Sequence, residues 1–73
     1  MAEQPSELKK LAAIATDMEL TSAMRTKAVE TIGKMGTHEA LLALLTMAGN
    51  EDLIRQEREL ALKQAMQIVK STK

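Results

Sequence analysis

Apolar side chains recur three and four positions apart through most of this chain, the spacing that gathers them on one side of a helix. Leu8, Leu11, Ala12, Ala15 and Met18 form the first such series, which opens near Pro5 or Ser6 and is interrupted between Thr16 and Glu19. Proline fits the first turn of a helix and serine caps one, so this start is marked twice. A second series, Met24, Ala28, Val29, Ile32 and Met35, follows the capping residues Thr21 and Ser22 and stops at Gly36, where a left-handed residue is expected. Gly33 falls inside that helix at a cost of about 1 kcal/mol relative to alanine, which implies that another backbone passes close by. The third series runs from a Thr37 cap through Ala40, Leu41, Leu44, Leu45 and Ala48 to Gly49. The fourth helix is expected from Glu51 to Lys70 behind an Asn50 cap, with Glu51 and Asp52 in its opening turn and lysines at its far end, as the helix dipole favours. Short intervals between the four make neighbours antiparallel, and no run alternates with the period of a strand.

The last helix carries more apolar surface than one face can hold. Ala61, Ala65 and Ile68 form one row, expected to pack on the preceding hairpin. Leu62, Met66 and Val69 form a second row, left over beside Leu53 and Ile54.

These positions also repeat. Adding 33 to Leu8, Leu11, Ala12, Ile14, Ala15, Leu20, Ala28, Val29, Ile32 and Met35 reaches Leu41, Leu44, Leu45, Met47, Ala48, Leu53, Ala61, Leu62, Ala65 and Ile68, apolar on apolar throughout. The same offset sets Arg25 against Arg58. A recurrence at this period marks stacked helical hairpins, in which each unit shields its neighbour's apolar flank.

Composition narrows the functional classes. With 73 residues the chain is one domain, 1–73, and a domain of that size buries roughly 60% of its unfolded surface, so its stability is marginal. There is no cysteine to form a disulfide or thiolate site, and a single histidine makes an all-protein zinc site a poor expectation. The apolar fraction is 45%, yet Phe, Tyr and Trp are absent, which removes base stacking and aromatic cages. Ten basic residues balance ten acidic ones, evenly between the two halves, which argues against nucleic acid. Lys63, Lys70 and Lys73 lack acidic neighbours, as suits a helix C-terminus. The polar opening Glu3, Gln4, Pro5, Ser6 and Glu7 is unlike a secretory leader, and the apolar run Ala40 to Leu45 is too short for a bilayer, so a cytoplasmic location is expected.

The run from Arg25 to Leu45 resembles a HEAT repeat, particularly the short variety named after phycobilisome lyases. Arg25 precedes Ala28 by three residues, Ile32 is followed by Gly33, Gly36 ends the helix, and leucine-rich Ala40 to Leu45 follows. Thr37 and His38 replace the acidic residue and proline usual after the second glycine. The resemblance is looser from Ala61 to Val69 and in the first helix. It implies a scaffold that binds other macromolecules, and structural ties to carbonyls or carboxylates of a neighbouring unit for Arg25 and Arg58. Lyase activity is not carried over, because no cysteine or aromatic is present to hold a tetrapyrrole.

Candidate chemistry is thin. His38 and Glu39 are adjacent and point about 100° apart on a helix, and Leu42 stands where a zinc motif needs a second histidine. Glu51, Asp52 and Asp17 or Glu19 fall in equivalent turns and suit helix design better than a cation site. Lys9, Lys10, Lys27 and Lys34 are interleaved with Glu7, Asp17 and Glu30. Met18, Met24, Met35, Met47 and Met66 read as adaptable core filling, with Met66 the exception expected at the surface. The chain is thus expected to be all-α: four antiparallel helices in two stacked HEAT-like hairpins, a short α-solenoid. No catalytic residue, cofactor, metal or small-molecule substrate is expected, nor any membrane association. The expected function is protein–protein interaction or assembly, with a protein partner or a homodimer covering Leu53, Ile54, Leu62, Met66 and Val69. The alternatives are a nucleic-acid-binding helical module or a small accessory subunit of an enzyme complex.

Overall fold

The computed structural model describes residues 5–71. Among them are four helices and no strand: α1 (Pro5–Ala15), α2 (Ser22–Met35), α3 (His38–Ala48) and α4 (Arg55–Ser71). Glu3, Gln4 and Lys73 lie outside the described residues.

Local chemistry sets most of the boundaries. Just past the end of α1, the Thr16 hydroxyl donates to the Ala12 carbonyl at 2.9 Å. Thr21 caps α2 by accepting from the Met24 amide at 3.2 Å, and Thr37 caps α3 by accepting from the Ala40 amide at 3.0 Å. Gly36 closes α2 with φ of 65°, the left-handed conformation that favours glycine. Gly49 closes α3 differently, with φ of −95°.

The start of α4 departs from expectation. Residues 51–54 form a turn rather than a helical opening, and Asn50 does not cap the helix. Its side chain instead accepts from the Asp52 amide at 2.9 Å, and its carbonyl accepts from the Leu53 amide at 3.1 Å. The Ile54 carbonyl then takes the amides of Glu57 and Arg58, and the helix begins. Asparagine satisfies its own local backbone in this way, which competes with capping.

Contacts are most extensive between α3 and α4 and between α1 and α2. Helices α2 and α4 lie against each other, α2 touches α3 less, and α1 barely meets α3. One core joins all four, with Ala28, Val29 and Ile32 of α2 against Ala40, Leu44 and Met47 of α3 and Ala61, Ala65 and Ile68 of α4. Full burial of Ile32, Leu44 and Val29 contributes about 1.5–3 kcal/mol each.

Burial follows the repeat only in part. Ala28 and Ala61 are both buried, as are Ile32 and Ala65. Val29 is fully buried while its counterpart Leu62 is 45% exposed, because α2 lies between α1 and α4 and no described helix lies beyond α4. Leu45, Met18 and Met24 are also exposed, against the expectation that they fill the core. What crowds Gly33 is a side chain, not a backbone: a Cβ there would collide with the Gln64 amide oxygen and lie 3.1 Å from Gln64 Cβ.

Candidate functional site: the open face of α4

The surplus row of α4 is at the surface. Ile54 is 41%, Leu62 45%, Met66 54% and Val69 56% exposed, while Ala61, Ala65 and Ile68 one step around the helix are buried. Leu53 is the correction to the expected surface group. It is 3% exposed and belongs to the core, because the turn after Asn50 folds it inward.

A buried ion pair ties α4 to α2. Arg25 donates through Nε and Nη2 to Glu57 Oε2, each at 2.8 Å, and through Nη1 to the Leu20 carbonyl at 2.5 Å. The Ser22 hydroxyl donates to the same carboxylate oxygen at 3.3 Å. Both side chains are almost fully buried, and Glu57 Oε1 accepts nothing. Arg25 thus ties to a carboxylate of the other hairpin, as expected of it, while its carbonyl bond stays within the turn that precedes its own helix.

Arg58, the counterpart of Arg25, makes neither. Its Nε is buried without a hydrogen-bond partner. With Ala48, Arg55, Glu59 and Leu62 it lines an open depression of about 350 Å³ beside the exposed row. Glu59 on that rim pairs instead with Arg55 at 3.6 Å.

Glu57 was not singled out in the sequence. The signal was its place four residues before Ala61, on the row that continues through Ala65 and Ile68; a charge on an apolar stripe marks a buried pair.

The remaining candidates do not converge. His38 and Glu39 are both exposed in the first turn of α3. Among the described residues no three His, Asp or Glu side chains come together as metal ligands. Lys9, Lys10, Lys27, Lys34, Lys63 and Lys70 are exposed. The depression along α2, about 530 Å³, is an open trough over Ala23, Met24, Thr26, Lys27 and Glu30, all from one helix. No described helix is long and apolar enough to cross a membrane.

In comparisons with known proteins, no protein-family model, no curated protein and no solved structure matches the chain.

Proposed function

We propose that this chain is a protein–protein interaction module without chemistry of its own, built as two stacked HEAT-like hairpins that dock a protein through the exposed side of α4. One observation carries the reading. Leu62 and Met66 stand in solvent at positions whose counterparts in α2, Val29 and Gly33, face the interior or another helix, and Val69 continues their exposed row. Val29 is covered completely, and Gly33 is in contact with Gln64 of α4. A surface with the pattern of a helix–helix interface and no described helix upon it reads as an interaction surface. The pairing of α1 with α2 and α3 with α4, and the contact of α2 with α4, support the stacked arrangement.

The test is light scattering on the protein at tens of micromolar, with Met66→Glu as comparison. A dimer that Met66→Glu dissociates supports docking of a second copy. If the protein is a monomer, a photo-crosslinking side chain at position 66 is compared in host extract with the same group at exposed Lys34. Products specific to position 66 support a foreign partner. A monomer with identical products at both positions overturns the proposal.

A further inference from the structure

We propose that the open face of α4 receives a helix of a different protein, carrying a carboxylate opposite Arg58 and small residues one and two turns beyond it. The inference rests on the docking surface proposed above and assigns the chemistry of its occupant.

The protein contains its own example of how such a face is covered. Arg25, Val29 and Gly33 lie along one side of α2, and α4 meets the first and last of them: Glu57 takes the guanidinium, Gln64 lies against the glycine, and Val29 between them is fully buried. Adding 33 to these positions gives Arg58, Leu62 and Met66, the side of α4 that is open. Arg58 Nε is already out of solvent and unpartnered, an arrangement that a carboxylate completes. The covering helix needs a small residue one turn beyond its carboxylate, where α4 has Ala61. Two turns beyond, Met66 fills the space that Gly33 leaves for Gln64, so the occupant must be small there as well.

A second copy of this chain meets these conditions neither by continuing the stack nor by pairing about the centre of the row. Stacked head to tail, it would present Met24 where Glu57 stands, since 24 is 57 less 33. Paired about a two-fold axis through Leu62, it would set Met66 opposite Arg58. Neither supplies a carboxylate. Glu59, the one acid on the rim, is engaged by Arg55. The apolar row beside Arg58 also favours a protein helix over a phosphate backbone.

The probe is a labelled synthetic peptide of residues 51–71 carrying Gln64→Ala, titrated against the full chain by fluorescence anisotropy. Expected is binding that Met66→Glu in the protein abolishes. Arg58→Met in the protein and Glu57→Gln in the peptide should each weaken it about tenfold, and both together little more than either alone, as for one charge-assisted contact. Binding abolished by Met66→Glu but indifferent to both charge removals overturns the carboxylate requirement and leaves the docking surface standing. No binding, or binding that Met66→Glu does not touch, overturns both. Self-association of the chain that Met66→Glu destroys and Arg58→Met leaves intact replaces the foreign helix with a second copy.

Discussion

At the scale of single residues, Arg25 and Glu57 are the buried charged side chains among the described residues. Both are buried, and one carboxylate oxygen is left without a donor, so the pair bears a desolvation cost that its hydrogen bonds only partly offset. Glu57→Ala leaves a guanidinium buried without a counter-charge and is expected to cost about 3–5 kcal/mol. Arg25→Met with Glu57→Leu removes both charges and should recover most of that loss. Urea denaturation of the two single variants and the double variant closes the cycle, and additive losses would show that the two side chains do not act as a pair. Arg25 was legible in the sequence because the repeat and the family resemblance both single it out. Its partner was not, because the expected packing row of the fourth helix begins at Ala61, and Glu57 joins it only when that row is extended backwards by one turn. Gly33 was legible as a point of close approach, but whether a backbone or a side chain approaches depends on how α4 is rotated against α2, which spacing alone does not give.

At the scale of elements, the two glycines that end helices look alike in the sequence and differ in conformation. Gly36 has φ of 65°, where a Cβ is strained, whereas Gly49 has φ of −95°, open to any residue. Gly36→Ala is therefore expected to cost about 1 kcal/mol. A Cβ at Gly49 would meet only backbone oxygens at 3.8 and 3.9 Å, an ordinary contact. Gly49→Ala should then be neutral or stabilising by up to about 1 kcal/mol, through the lower entropy of the unfolded chain. Thermal unfolding of the two variants checks the contrast, and equal destabilisation would contradict it. Threonine caps and the Gly36 terminus were readable because each is a local bargain between one side chain and the nearby backbone. The start of α4 departs from expectation because the same Asn50 atoms can serve either a turn or a cap, and here they serve the turn that buries Leu53.

At the scale of the whole molecule, the repeat makes two positions equal in sequence and unequal in energy. Val29 and Leu62 share a register, yet one lies between helices and the other faces solvent. Val29→Ala removes buried methyl groups and leaves a cavity, at an expected cost of about 2 kcal/mol. That is a large part of the roughly 5 kcal/mol available to a domain near the lower size limit. Leu62→Ala removes exposed surface and should change the stability of the isolated protein by less than about 0.5 kcal/mol. Urea midpoints measured at low protein concentration test the difference, which disappears if the α4 face is covered in the free chain. If the proposed occupant binds, its free energy adds to that of the folded state, and Leu62 becomes a residue whose loss is felt. The same substitution should therefore be silent in the free protein and costly in the complex. Such a concentration-dependent change is what distinguishes an interface position from a surface leucine that merely happens to be apolar.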